Sequence, residues 1–246
     1  MSQTAQTPPP DLGARLDLAG VLTGIRRMAP LSLFVVVFGL AFGVAALARG
    51  LSGLEAMLMS GLVFAGASQF AVLELWGADI PLLPLIATTL AINARHLLMG
   101  AAMQPWLAHL PPGQRYGSLV LMSDSNWAMA MADRQRGETN IGMLVGGGIM
   151  LWVTWLFGTL LGVLFSSGIE APERFGLDVI MGCFLLAMLV GGRRDLSMLL
   201  PWTVAALAAI AAMLWLPPHS HVIVGALAGG LTGLMLPTNS PREATQ

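Results

Sequence analysis

Between Met28 and Leu236 the apolar residues come in long runs, without the two-residue alternation of half-buried strands or the one-sided stripes of soluble helices. A helix needs about 17–25 predominantly apolar residues to cross the hydrocarbon core of a bilayer. Measured against that length, the runs predict about eight transmembrane helices, over 28–48, 54–76, 80–103, 115–132, 140–166, 176–190, 197–216 and 219–236. The expected fold class is therefore an all-α polytopic membrane protein. Residues 1–27, which include TAQTPPP, read as a flexible cytoplasmic tail, 28–236 as the transmembrane domain and 237–246 as a second cytoplasmic tail. The first run, Leu31 to Ala48, is too long and too far from the start for a signal-peptide core and should stay in the membrane.

Polar residues interrupt this pattern at three places. In the third run, Thr89, Asn93, His96, Gly100 and Gln104 step by four, three, four and four, so on a continuous helix they form one polar stripe. Arg95 points about 100° away from His96. Either two neighbouring elements receive these groups or the helix unwinds locally. An arginine near a bilayer centre costs about 2.5–3.5 kcal/mol on insertion scales, so packing alone gives no reason to keep it. In the fourth run, LVLMSDSNWAMAMA puts Asp124 midway along the predicted span. The only cations available to it inside the membrane are Arg95 and protonated His96, and it is expected to face one of them. In the second run, FAGASQFA brings Gly66, Ser68 and Gln69 together, a composition suited to an interrupted helix near the midplane. The bland alternatives are an Arg95 that snorkels to the interface, a His96 bonded to a backbone carbonyl, a surface-lying helix over 115–132 and tight packing at Gly66 and Ser68. Glu55, Glu74, Asp79 and Asp178 read as structural, with Glu74 at a cytoplasmic helix end.

Arginine placement sets the expected orientation, because short cytoplasmic loops carry the excess of basic residues. With eight spans and an internal N-terminus, Arg15, Arg26, Arg27, Arg134, Arg136, Arg193, Arg194 and Arg242 are cytoplasmic, against Arg49, Arg115 and Arg174 outside. Both termini are then cytoplasmic. A fourth segment that only dipped into the bilayer would reverse the bias.

Small residues recur at four-residue spacing, as in Gly39 and Gly43, Gly142 and Gly146, Gly158 and Gly162, and Gly225, Gly229 and Gly233. Such spacing lets helix backbones approach closely in lipid. A faint echo between GLEAMLMSGLVFAG from Gly53 and GLDVIMGCFLLAML from Gly176 raises two related four-helix halves, parallel to each other, as a further expectation.

Composition narrows the function. The chain has 246 residues, 56% hydrophobic and 10% charged, with net charge −1, which argues against a nucleic-acid partner. Its one cysteine, Cys183, cannot form an internal disulfide. No HExxH, cysteine pair, Walker loop or GxSxG is present, so neither a cofactor nor ATP hydrolysis by this chain is expected. An intramembrane hydrolase using Ser68 and His96, or a purely structural membrane subunit, are the rival readings.

The chain resembles the AzlC-type large subunit of branched-chain amino-acid exporters. FGLAFGVAA (38–46), GLSGLEAML (50–58), FAGASQFA (64–71), NARHLLMG (93–100), SDSNWAMA (123–130), WVTWLFGTLLG (152–162) and GLDVIMGCFLLAMLV (176–190) carry the likeness in order, with FAGASQFA and NARHLL the most specific. The resemblance implies a permease of the bacterial inner membrane that exports leucine, isoleucine, valine or a similar hydrophobic amino acid such as methionine. It also implies a small, separately encoded AzlD-type membrane subunit as partner, and no enzymatic activity. Two departures stand out: Met99 where the family often has Tyr, and Ser123-Asp124-Ser125 where it has Thr-Asp-Glu. The expected transport residues are Gly66, Ser68, Gln69, Asn93, Arg95, His96 and Asp124. His96 and Asp124 form the expected titratable pair for proton antiport.

Overall fold

The computed structural model describes residues 14–77, 79–166, 199–216 and 220–236. Among them the regular structure is helical: α1 Leu18–Ala48, α2 Gly53–Val63, α3 Gly66–Leu75, α4 Leu82–Leu107, α5 Pro112–Val120, α6 Asp124–Gln135, α7 Gly142–Phe165, α8 Leu199–Trp215 and α9 Ser220–Met235. The predicted span over 176–190, with Cys183 and the second copy of the internal echo, lies outside the described residues.

Three helices, α1, α4 and α7, are long and apolar enough to cross a membrane. Their outward faces carry Leu33, Phe34, Leu83, Leu97 and Leu164 in the open, a surface that suits lipid rather than water. α1 starts at Leu18, well before Met28, because Asp17 caps it: Oδ1 accepts from the Gly20 N–H at 2.8 Å. Asn140 Nδ2 donates to the same oxygen, and the Arg15 backbone pairs with Thr139 and Ile141. The later part of the predicted N-terminal tail is thereby clasped to the start of α7.

α1 and α7 run parallel and touch along their lengths through the small residues noted in the sequence. Gly24 lies on Gly142 and Gly147, Gly39 on Gly158, and Gly43 on Gly162. A Cβ on Gly39 would sit 2.6 Å from the Trp155 carbonyl oxygen, so the backbones are too close for any side chain. In α8 and α9, Gly225 and Gly229 face Ala205 and Ala209 in the same manner, with the two helices antiparallel.

The predicted spans over 54–76 and 115–132 are both broken, and contacts show that neither crosses. α2 and α3 are about 16 and 15 Å long at 1.5 Å per residue, each roughly half of a 30 Å hydrocarbon core. α2 descends α7 from the Ala48 end: Gly53 lies by Val163, Ser60 Oγ is 2.8 Å from Thr159 Oγ1, and Trp152 Nε1 donates to Gly61 O. After Phe64 and Ala65 the chain reverses. Gly66 meets Trp155, Phe70 packs edge-on to Phe42, and Glu74 pairs with Arg49 back at the Ala48 end. Glu74 is thus on the same side as Arg49, opposite to the expected placement.

The second broken pair repeats this from the other end. α4 finishes at Trp106 and Leu107, packed in one cluster with Met28, Ile141 and Met143 at the Leu18 end. From there α5 rises until Leu121 meets Gly148. α6 then descends beside α4, with Asp124 by Arg95, Trp127 Nε1 donating to Met99 O, and Asp133 bonded to Arg27 at 2.6 Å. The bundle therefore holds two re-entrant hairpins entering from opposite ends, each following a long helix. The correction tightens the charge asymmetry among the described residues. Arg15, Arg26, Arg27, Arg115, Arg134 and Arg136 now share the Leu18 end, and Arg49 occupies the other.

Candidate functional site

The tips of both hairpins reach one cavity of about 160 Å³ in the middle of the bundle. Such a volume exceeds the roughly 30 Å³ of a water molecule in the liquid several times over, enough for a small organic solute. Phe64, Ala65, Gly66 and Ala67 come from the first tip and Ser123, Asp124 and Ser125 from the second. Arg95 and His96 of α4 complete the polar side, while Val35 and Phe38 of α1 and Leu151 and Trp155 of α7 form an apolar wall.

Local sequence explains each tip. α2 stops where Phe64 adopts φ 36° and ψ 50°, a left-handed conformation costly for a bulky residue and tolerated where the surroundings fix it. The break falls just ahead of Gly66, which opens α3 and lets the Trp155 ring lie 3.1 Å from where a Cβ would be. α5 stops at Leu121, and Ser123 and Asp124 start α6. Asn126 Oδ1 accepts from the Ser123 N–H at 2.6 Å and from its hydroxyl at 3.0 Å, while Asn126 Nδ2 donates to Leu121 O and Leu144 O. Ser-x-x-Asn is a helix-start pattern. Read as such, SDSN predicts the break that hydropathy hid.

α4 stays continuous, so two neighbours receive its polar groups. Arg95 Nη2 is 3.1 Å from Asp124 Oδ2, with about a third of each side chain exposed. This is the expected partnership for Asp124, made at a helix start rather than mid-span. Asn93 Nδ2 donates to Ser68 Oγ at 3.1 Å, and Ser68 Oγ donates to Ala65 O, which ties the first tip to α4. His96 Nδ1 lies 3.2 Å from Asn93 O. A carbonyl only accepts, so this contact is made with the proton on Nδ1.

Four of the residues singled out from the sequence, Gly66, Arg95, His96 and Asp124, line the cavity, while Ser68, Gln69 and Asn93 do not. Gln69 is 1% exposed and neither amide atom has a partner among the described residues. Ser68 is bonded to Ala65 and Asn93, and His96 to Asn93, so no Ser–His hydrogen bond of a hydrolase forms. Phe38, Phe64 and Trp155 escaped sequence reading because aromatic residues in an apolar run carry no distinguishing signal.

A family model described as AzlC protein matches residues 30–169, the part that holds the greater part of α1, all of α2 to α7 and every cavity-lining residue. The inner membrane protein YgaZ of Escherichia coli (strain K12) is 26% identical over 239 residues, 93% of this chain and 94% of its own. The branched-chain amino acid transport protein AzlC of Bacillus subtilis (strain 168) is 26% identical over 160 residues, 62% of this chain and 59% of its own. A membrane protein of Archaeoglobus fulgidus is 31% identical over 145 residues, 58% of this chain and 62% of its own. No solved structure matches. With more than half of its length matched by the family model, and the matched part containing both hairpins and the cavity between them, this chain belongs to the AzlC family.

Proposed function

We propose that this chain is the large subunit of a secondary transporter that exports branched-chain or similar hydrophobic amino acids across the inner membrane in exchange for protons, assembled with a small AzlD-type membrane subunit. The observation that carries the reading is the Arg95–Asp124 pair, 3.1 Å apart in a cavity bounded by two half-helix tips that enter from opposite ends. A zwitterion brings one charge of each sign to a site that already holds one of each. The charges can exchange partners without an uncompensated charge in the bundle, which would be expensive at that depth.

The wall of Val35, Phe38, Leu151 and Trp155 suits an aliphatic side chain and offers nothing to a polar one. Gly66 keeps the first tip close enough to close the cavity, and Ser68 with Asn93 holds that tip on α4. Gln69, buried with an unpartnered amide, is assigned to the state in which the tip has moved. His96 and Asp124, which line the cavity together, are assigned to carry the transported proton, Asp124 becoming available when Arg95 is drawn away. The relative from Bacillus subtilis, named for branched-chain amino acid transport, supports the substrate class.

The test is efflux of labelled leucine from proteoliposomes holding the full chain and the small subunit, under an inward proton gradient. Efflux should rise above protein-free vesicles and vanish in Arg95→Gln and Asp124→Asn. Equal efflux with and without protein rejects the transporter reading, and undiminished efflux in Arg95→Gln leaves this chain a structural subunit.

A further inference from the structure

We infer that Phe38 sets the size limit of the transported side chain, so that branched aliphatic amino acids are accepted and aromatic ones refused. The inference deepens the transport reading and rests on it. With the two charges of a zwitterion at Arg95 and Asp124, the side chain meets the wall of Val35, Phe38, Leu151 and Trp155.

The glycine contacts fix the spacing of the two helices that carry this wall. Val35 and Phe38 stand on α1, Leu151 and Trp155 on α7. Beside Phe38, a Cβ on Gly39 would lie 2.6 Å from the Trp155 carbonyl oxygen, so the two backbones are in direct contact at the level of the cavity. Moving them apart for a larger guest would open a void along that contact, which close-packed interiors do not tolerate. A cavity of about 150 Å³ is filled by one benzene molecule. At about 160 Å³, this one has no room for an aromatic ring together with the ammonium and carboxylate that accompany it, whereas a branched aliphatic side chain is several carbon atoms smaller.

Among the wall residues, Phe38 is the one that defines the limit without also building the core. Trp155 is 4% exposed and pinned, with its Cη2 atom 3.1 Å from the position of a Cβ on Gly66 and its ring 5.7 Å from that of Phe42. Leu151 is equally buried and belongs to the core cluster of Met28 and Leu144. Val35 is short and packs against both core clusters. Phe38 is only partly buried, and its ring is held in place by tilted contacts with Phe70 at 5.4 Å and Trp155 at 6.2 Å. A large ring so held, with open surface toward the cavity, is a fixed end stop.

Binding to the full chain with its small subunit in nanodiscs tests this, with labelled L-alanine, L-leucine and L-phenylalanine measured separately. Phe38→Leu shortens the stop and Phe38→Trp lengthens it, and both keep the wall apolar. One methylene in an apolar pocket corresponds to about 10–200-fold in selectivity. Phe38→Leu should lower the preference for leucine over phenylalanine by about tenfold or more. Phe38→Trp should weaken leucine relative to alanine by about the same factor. Opposite shifts from one position cannot come from damage to folding. An unchanged leucine-to-phenylalanine ratio in Phe38→Leu, an unchanged leucine-to-alanine ratio in Phe38→Trp, or equal binding of leucine and phenylalanine by the wild type overturns the size limit and leaves the exporter reading standing. Failure of the wild type to bind any of the three overturns both.

Discussion

Neutralising both members of the Arg95–Asp124 pair should cost less than the sum of the two single neutralisations. At 3.1 Å, Coulomb's law gives about 5 kcal/mol at an effective dielectric constant of 20 and about 1.3 kcal/mol in water. With 35% and 33% of the side chains exposed, the pair is neither sealed nor on an open surface, where such pairs are worth about 0–1 kcal/mol. Desolvation offsets part of the attraction, which leaves a coupling of roughly 1–3 kcal/mol. Arg95→Gln, Asp124→Asn and the double variant form the cycle, with unfolding free energies measured in the same detergent or nanodisc. Each single variant should lose roughly 1–3 kcal/mol, and the double should lose less than their sum by the coupling energy. Leucine exchange should be absent from all three, since restoring charge balance does not restore a site for a zwitterion. A coupling energy within the additivity error of about 0.5 kcal/mol would refute the pair as an energetic unit.

Three further outcomes are expected. Cysteines placed at Gly50 and Gly77 should be labelled from one side of the membrane and those at Gly113 and Gly137 from the other; an eight-span path separates Gly50 from Gly77, so labelling from opposite sides would sink the re-entrant hairpins. Gly39→Ala should destabilise the bundle by about 1–3 kcal/mol in a thermal or denaturant melt, because its Cβ would lie 2.6 Å from Trp155 O and 3.0 Å from Thr159 N, both backbone atoms that cannot move aside; an unchanged melt would contradict the α1–α7 packing. The hydrogen bonds from the Gly20 N–H, first, and from Asn140 hold the Asp17 carboxyl below its ordinary value of 3.8. A depressed carboxylate stabilises the fold above the unfolded value and loses that contribution as pH falls through the folded one. The melting-temperature gap between wild type and Asp17→Ala should therefore be full at neutral pH and close as the pH drops below 3.8.

Hydropathy and composition alone determined that the chain is helical and built for lipid, because a bilayer demands internally satisfied backbone and apolar length, and both are properties of local sequence. They also led to the expectation that Asp124 faces Arg95 or His96, since a charge inside the bundle needs a partner, and Arg95 is the partner it has. The glycine spacings at 39, 43, 158 and 162 revealed contact surfaces for the same reason: a missing side chain is a local fact. Whether residues 54–76 cross or turn back could not be read that way. Half-helices of 11 and 10 residues have the same hydropathy laid end to end as folded on each other. Only tertiary contacts decide between those paths. Glu74 bonds to Arg49 rather than to a group at the far end, and Asp133 bonds to Arg27. The wall that Phe38 shares with Trp155 likewise exists only as a juxtaposition, because whether an apolar residue lines a cavity or lies in the core depends on what other segments bring to it.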